Sequence, residues 1–329
     1  MDKRMVNQAV KGCGRQKNEL GTNLKSNPHP YVTAIIINYK TADYAVHCVH
    51  SLLQQKAVRL QIIVVDNASG DGGVHKLHSA YPTEILLIEN FENLGFAKAN
   101  NLAAKYAEGD YYLIINPDLK FTKNDDLANL VAEMNHLDQA GVIGPRIMEP
   151  RRNRKVGPKF SYSEQRYLKA TQSIHQLPGE IAWLLGACLL FPAEVYRGIG
   201  GFDEDFFLYG EDADICLRVR KSGRIVAWTD QVTAEHWGGA SETSALSYDK
   251  WRRKKRGYYQ FCLKHYDASD VTHILRRNAL RTRIKLFGLK GRYYLPWGKR
   301  TSLSSDIERV RAENDVLWEL LKSQPQTKV

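Results

Sequence analysis

The chain has 329 residues, of which 43% are hydrophobic and 25% are charged. These proportions are those of a globular protein, and no stretch approaches the ~20 apolar residues of a membrane-spanning helix. The formal net charge is +11, and much of it comes from residues 251–256 and 276–300. This charge favours an anionic neighbour such as a lipid surface, a nucleic acid or a phosphate-bearing substrate. Five cysteines without a paired framework, and an N-terminus without an apolar signal region, predict a cytoplasmic protein.

The predicted elements begin after a polar lead-in. Residues 1–30 end in Asn27-Pro-His-Pro30 and are predicted to be a flexible N-terminal segment. Apolar β-branched runs then alternate with helical periodicity, which predicts a mostly parallel α/β sheet flanked by helices. We expect Thr41 to cap the first helix. Strands are predicted at 32–37, 61–65, 85–88, 111–115 and 224–228, and helices after residue 41 and at 96–106 and 211–218.

Polar side chains directly follow three predicted strands, as Asn38, Asp66 and Asp118. Sheets of this kind bind ligands at the carboxyl ends of their strands, so these positions predict a nucleotide site. Asp118 is suited to hold a divalent cation against a diphosphate, although an Asn-Pro-Asp turn is also a common structural device. Asp66 either contacts a base or ribose or simply starts a turn. Gly95 precedes a predicted helix. It either lets an anion approach the N-terminus of that helix or belongs to a plain helix cap without a ligand.

Six carboxylates crowd between Asp203 and Asp214 and repel one another unless they are solvated or matched by cations. Aromatic residues lie among them, which predicts a pocket wall where burial raises a carboxyl pKa and permits general-base catalysis. An exposed acidic helix start is the alternative. His236 follows a predicted strand by a short loop beside two glycines, so it is either a metal or diphosphate ligand or a structural histidine.

Five segments, taken in order, resemble the inverting glycosyltransferases of family 2, which have the GT-A fold, and within them the bacterial rhamnosyltransferase-like branch. The resemblance extends from Val32 to Gly239 and implies a GT-A catalytic domain over 31–245. A basic, mainly helical C-terminal extension is predicted over 246–329. The segments are Ile-Ile-Ile-Asn-Tyr at 35–39, Val-Val-Asp-Asn-Ala-Ser at 64–69, Glu-Asn-Phe-Glu-Asn-Leu-Gly-Phe-Ala at 89–97, Asn-Pro-Asp at 116–118, and Gly-Gly-Phe-Asp-Glu-Asp-Phe-Phe-Leu-Tyr-Gly-Glu-Asp-Ala-Asp at 200–214.

The resemblance implies a role for each part of the site. It makes Asp118 and His236 the protein ligands of Mg²⁺ or Mn²⁺, although Asn116 stands where the family has its first aspartate and removes one charge. Asp212 is the expected general base, with Glu211 as the alternative. The donor nucleotide is expected at Asn38, Tyr39, Asp66, Asn93, Gly95 and Asn116. The sugar or acceptor pocket is expected at Trp183, Gly186, Ala187 and Asp203.

The implied reaction is a single displacement that inverts the anomeric centre. The resemblance favours dTDP-rhamnose as donor, with UDP-hexoses as the alternative. It favours a saccharide or polyprenyl-diphosphate-linked acceptor in polysaccharide biosynthesis, such as that of O-antigen. A nucleotidyltransferase would carry a glycine-rich loop after the first strand, where this chain reads Asn38-Tyr-Lys-Thr-Ala42. A nucleic-acid-binding protein is the alternative from another class, but no recognised motif accompanies the basic residues, so no nucleic-acid partner is expected.

Aromatic residues lie among the lysines and arginines of the C-terminal extension. Such a mixture suits the headgroup region of an anionic membrane and predicts peripheral association with the inner face of the cell membrane. Ordinary helix packing is the alternative. The aromatic residues are Trp251, Tyr258, Tyr259, Phe261, Tyr293, Tyr294 and Trp297.

Overall fold

The computed structural model describes residues 29–169, 173–237, 247–293 and 300–323. Most of the predicted N-terminal segment, the boundary at 245 and 246, and the side chains of Tyr293, Tyr294 and Trp297 lie outside this part of the chain. Within it, no helix has both the length and the apolar character needed to cross a membrane.

Strands of the described ranges form one mixed sheet. Their order is β3-β2-β1-β4-β8-β6-β9-β5, and β7 pairs with β6. Strands β3, β2, β1 and β4 are mutually parallel, as predicted, and β6 is parallel to β9. β8 runs back between β4 and β6 and is antiparallel to both, and β5 with β9 and β6 with β7 are also antiparallel pairs. The strands are β1 Tyr31–Asn38, β2 Arg59–Asp66, β3 Leu86–Glu89, β4 Tyr111–Ile115, β5 Leu119–Phe121, β6 Ala140–Glu149, β7 Arg154–Val156, β8 Cys188–Pro192 and β9 Ile225–His236.

Helices cover both faces of this sheet, which confirms the predicted α/β architecture. Apolar residues of α1 and α4 pack on one face and those of α3 and α6 on the other. Helices α7, α8 and α9 follow the sheet and share a third apolar cluster with Tyr162, Ile174 and Ala182 and with Ala213 and Leu217 of α6. The helices are α1 Ala42–Leu53, α2 Gly73–Ala80, α3 Gly95–Ala104, α4 Asp126–Asn135, α5 Ala193–Gly198, α6 Glu211–Lys221, α7 Ser247–His265, α8 Ala268–Tyr293 and α9 Arg300–Ser323.

The expected capping role of Thr41 is wrong. Its hydroxyl donates a hydrogen bond to Asn38 Oδ1 at 2.8 Å, and no side-chain cap is present at the start of α1. Thr41 therefore orients a polar side chain at the end of β1 and does not satisfy the helix amides.

Two aromatic residues predicted to face lipid are buried in the helical extension. Tyr259 donates its hydroxyl to Glu313 Oε1 at 2.7 Å, and the ring of Phe261 stacks on that of Tyr162 at 5.4 Å. At these two positions the alternative of helix packing applies, because α9 and the 162–168 segment cover that side of α7.

A close contact between two glycines fixes α7 against the start of α6. A methyl group on Gly257 would lie 1.9 Å from the carbonyl oxygen of Tyr209, and one on Gly210 would lie 2.7 Å from the carbonyl oxygen of Gly257. Gly210 also has a φ of 93°, a conformation that side-chain-bearing residues rarely adopt. Only glycine at both positions allows the two backbones to approach so closely.

Candidate active site

A cleft of about 590 Å³ opens at the carboxyl ends of β1, β2 and β4. Six of the predicted donor and metal residues line it together, and Ala187 of the predicted sugar pocket lines it as well. The six are Tyr39, Asn93, Gly95, Asn116, Asp118 and His236.

Asn38 and Asp66 do not line the cleft but form a buried support beside it. The Asp66 carboxylate accepts hydrogen bonds from Asn38 Nδ2 at 2.7 Å, from Ser69 Oγ at 2.6 Å and from the Ser69 amide at 3.0 Å. Asp66 also borders an adjacent groove that includes Gly70 and Asn90. These bonds commit the carboxylate to holding the turn that follows β2.

Asn67 is a cleft residue that the sequence analysis missed. Its amide donates to Asn93 Oδ1 at 2.9 Å and to the Gly95 carbonyl oxygen at 3.1 Å. The Gly95 backbone in turn packs against Phe207, since a methyl group there would lie 2.5 Å from the Phe207 carbonyl oxygen. The signal for Asn67 that was available in the sequence is its position directly after Asp66, at the end of a strand.

Asp118 and His236, the two predicted metal ligands, meet in the cleft wall. Asp118 Oδ1 lies 3.2 Å from His236 Nε2, and both side chains are buried. His236 is the last residue of β9, paired with Leu119 of β5, so the expected loop before it does not exist. The strand extends beyond Trp228 because it pairs with both β6 and β5. His236 Nδ1 is buried and has no hydrogen-bond partner among the described residues.

Asp118 and His236 can be examined as ligands of a divalent cation. Within the described residues, no group of three or more histidine, cysteine, aspartate or glutamate side chains is placed to hold a metal ion. Asp118 and His236 therefore offer two protein ligands. Mg²⁺ and Mn²⁺ are commonly held by one or two protein groups, with phosphate oxygens and water in the remaining positions. The pair fits a cation whose coordination is completed by the diphosphate of a bound donor.

Helix α7 contributes a cationic wall to the same cleft, formed by Lys250, Arg253 and Lys254. Arg253 Nε is buried without a hydrogen-bond partner among the described residues. Arg154 also lines the cleft but is held by Glu149, with Nη2 2.8 Å from Oε2. A diphosphate bound in the cleft would therefore face cationic side chains of the C-terminal extension, which the sequence analysis did not place here.

The carboxylate cluster is matched by the cations of two helices. Lys264 Nζ lies 2.7 Å from Asp203 Oδ2 and 2.6 Å from Asp205 Oδ2. Although burial opposes it, the hydrogen bond from Lys264 lowers the pKa of Asp203. Asp214 is fully buried and pairs with Arg218 at 2.7 Å. Asp203 thus joins the loop that precedes α6 to α7 through Lys264. It is not among the residues that line the cleft.

Two carboxyl groups remain at the start of α6. The Asp212 carboxylate is partly buried and accepts hydrogen bonds from the amides of Ala213 at 2.8 Å and Gly186 at 3.3 Å. Glu211 is buried, and its Oε2 has no partner among the described residues. Burial, and then the charge of Asp212, raise the pKa of Glu211, whereas burial raises the pKa of Asp212 against its backbone hydrogen bonds.

Neither carboxyl group lines the cleft directly, but Asp212 lies against Gly186, whose neighbour Ala187 does. Trp183 is also outside the cleft lining. Its indole Nε1 donates to the Ser161 carbonyl oxygen at 3.1 Å. Of the residues predicted for the sugar pocket, Ala187 therefore lines the cleft, and Asp212 lies against its neighbour Gly186.

Comparison with known proteins identifies the family. The model of glycosyl transferase family 2 matches residues 33–200, and that of glycosyl transferase family group 2 matches residues 123–312. An N-acetylglucosaminyl-diphospho-decaprenol L-rhamnosyltransferase of Mycobacterium tuberculosis is 22% identical over 230 residues, which are 61% of this chain and 74% of that protein. A low-salt glycan biosynthesis hexosyltransferase of Haloferax volcanii is 24% identical, over 62% of this chain and 66% of that protein.

The fold is shared with a solved glycosyltransferase. A mannosyltransferase of Pyrobaculum calidifontis, in complex with GDP-Man and Mn²⁺, superposes with a TM-score of 0.56 at 19% identity, covering 89% of this chain and 88% of that one. The family model spans more than half of the chain and includes β1, β2, β4 and the Asn116–Asp118 turn. The chain belongs to glycosyl transferase family 2 and is a glycosyltransferase with the GT-A fold.

Proposed function

We propose that this enzyme moves a sugar, with inversion, from a nucleoside-diphosphate donor in the cleft to an acceptor hydroxyl beside Asp212. The observation that carries the proposal is the Asp118–His236 pair, buried in one wall of a cleft whose other wall is cationic. Such a cleft suits a diphosphate that is bound through a cation and through direct charge pairing.

In the proposed reaction, the acceptor hydroxyl oxygen bonds to the anomeric carbon while the bond from that carbon to the diphosphate oxygen breaks. The hydroxyl proton goes to Asp212, whose carboxylate is oriented by the amides of Gly186 and Ala213. The electron pair of the broken bond stays with the nucleoside diphosphate. A divalent cation held by Asp118 and His236 would neutralise the charge that develops there.

We propose L-rhamnose, carried by dTDP, as the sugar and a lipid-linked or saccharide acceptor in cell-surface polysaccharide biosynthesis at the cytoplasmic face of a membrane. Support for the sugar and the lipid comes from the name of the mycobacterial relative and from the family resemblance. A UDP-hexose is the second candidate donor, supported by the hexosyltransferase name of the archaeal relative.

The first test is donor turnover by the purified protein. We expect one of dTDP-rhamnose, UDP-glucose, UDP-galactose and UDP-N-acetylglucosamine to be hydrolysed only when Mg²⁺ or Mn²⁺ is added. Asp118→Ala should lower that rate about 100-fold because it removes the carboxylate that fits the cation. Asp230→Ala, which removes an exposed carboxylate paired with Arg146, should not. Turnover that needs neither metal nor Asp118, or no turnover of any donor by folded protein, would contradict the proposal.

The pH profile gives an independent test of the base. Because Asp212 must be ionised to accept a proton, kcat/KM should rise with pH, with an apparent pKa above the usual aspartate value of about 4. A rate that reaches its plateau by about pH 4 would exclude these carboxyls as the base.

The raised pKa values of Glu211 and Asp212 also affect the stability of the fold. Their contribution to the free energy of unfolding is greatest at acid pH and is lost as pH rises through the folded-state pKa values.

A further inference from the structure

Helix α8 exposes an apolar stripe along one face. Leu280, Ile284 and Phe287 are 62%, 64% and 83% exposed. Spacings of four and three residues place the three side chains on the same side of the helix, so they form one surface. Scattered exposed apolar residues are ordinary, but a contiguous apolar surface of this kind marks an interaction site.

Cationic residues flank the stripe on both sides. Helical geometry places Arg276, Arg283 and Lys290 along one edge and Arg281 along the other, and all four are exposed. None of them forms an ion pair with an acidic group in the described ranges. An apolar centre between cationic edges is the pattern of a helix that lies in the interface of an anionic bilayer.

A groove of about 710 Å³ adjoins the stripe and lies between α7, α8 and α9. Ile284 belongs to both surfaces, and the groove also contains Arg281, Lys285 and Arg309. Lys285, like Arg281, has no acidic partner among the described residues. Arg309 is paired with Asp306 at 2.8 Å, so Arg281 and Lys285 are the cations placed to receive a headgroup phosphate next to inserted apolar side chains.

We propose that this face of α8, with the adjoining groove, docks the enzyme on an anionic lipid surface. Charge decides between the two occupants that an apolar stripe could have. A second copy of this face would bring its arginines and lysines against those of the first, which is unfavourable, whereas an anionic bilayer complements them. The apolar side chains then enter the bilayer boundary and the cations remain at the headgroups.

Helix α7 lies between the proposed docking surface and the catalytic cleft and contributes residues to both the cleft and the adjoining groove. Lys254 lines the catalytic cleft and the next residue, Lys255, lines the groove beside α8. A lipid surface on α8 would therefore lie one helix away from the cleft. The inference deepens the proposed function and, for its purpose, rests on the lipid-linked acceptor proposed above.

Vesicle sedimentation with the full chain tests the surface without requiring turnover. The protein should bind vesicles containing phosphatidylglycerol, and bind pure phosphatidylcholine vesicles weakly, with the difference reduced at high salt. The double variant Ile284→Ser with Phe287→Ser should lower the partition coefficient about tenfold or more. Phe91→Ser, which removes a ring that is 97% exposed elsewhere, is the matched control and should bind normally.

A second variant separates charge from apolar contact. Arg276→Gln with Arg283→Gln should reduce binding to anionic vesicles and its salt dependence. If both variants retain donor hydrolysis, their loss of vesicle binding is not caused by a loss of folding or catalytic activity. Absence of vesicle binding, equal binding by wild type and variants, self-association that the Ile284 and Phe287 changes abolish, or oligonucleotide binding in place of vesicle binding would each overturn the proposal.

Discussion

Asp212→Asn should lower kcat by about 10²–10⁴-fold while leaving donor affinity close to that of the wild type. The amide has nearly the shape of the carboxylate but cannot take the hydroxyl proton. Because Asp212 is outside the cleft lining, the change should not disturb the donor. Steady-state kinetics with the donor found in the turnover screen, together with donor binding measured by calorimetry, would separate the two effects.

Glu211→Gln is the matched comparison, since the two carboxyl groups are adjacent at the start of α6. Glu211 is the more buried, and its pKa is raised by burial and by the charge of Asp212, so near neutral pH it more often keeps its proton and is less available to accept one. Its amide variant should retain most of the activity. A larger loss from Glu211→Gln than from Asp212→Asn would transfer the role of base to Glu211.

Gly257→Ala should lower the free energy of unfolding by about 3 kcal/mol, at the upper end of what overpacking costs. The added methyl group would lie 1.9 Å from the Tyr209 carbonyl oxygen, so α7 cannot keep its position. Displacement of α7 would also move Arg253 and Lys254 away from the cleft. We therefore expect weaker donor binding together with the lower stability, measured by urea denaturation and by calorimetry.

Gly288→Ala provides the control for this change. Gly288 lies in α8 with no atom near the position of an added methyl group, and alanine there should raise stability by about 0.5–1 kcal/mol because it restricts the unfolded chain. If Gly257→Ala were as stable as the wild type and bound donor equally well, the close contact between α7 and Tyr209 would have no part in holding the cationic wall.

The part of the candidate site that could be predicted from the sequence consists of polar residues at the ends of strands. Asn116 directly follows a strand of continuous apolar residues and Asp118 comes two residues later, and parallel pairing alone then brings them to one edge with Tyr39. Asn67 was missed although it is next to Asp66. A sequence shows that two polar residues stand at the end of a strand, but it does not show which of them bonds inward to Asn38 and which lines the cleft.

The remainder depended on contacts between segments far apart in the chain. The return of β8 between β4 and β6 makes the sheet mixed, and an apolar run such as 188–192 has no feature that records its direction. Likewise, the periodicity of α7 does not reveal that its Lys254 side faces the cleft while Tyr259 is covered by α9. Charge and aromatic content alone therefore could not distinguish a ligand wall from a lipid contact or a core.

Gly210 has a consequence for how separate binding events influence one another. It directly precedes the Glu211–Asp212 pair and rests on Gly257 of α7, the helix whose Lys254 and Lys255 face the cleft and the groove. The proposed base, the cationic wall of the cleft and the groove beside α8 are thus linked through one close backbone contact. If a lipid surface changes donor affinity through this contact, thermodynamic reciprocity requires that the donor change lipid affinity by the same factor.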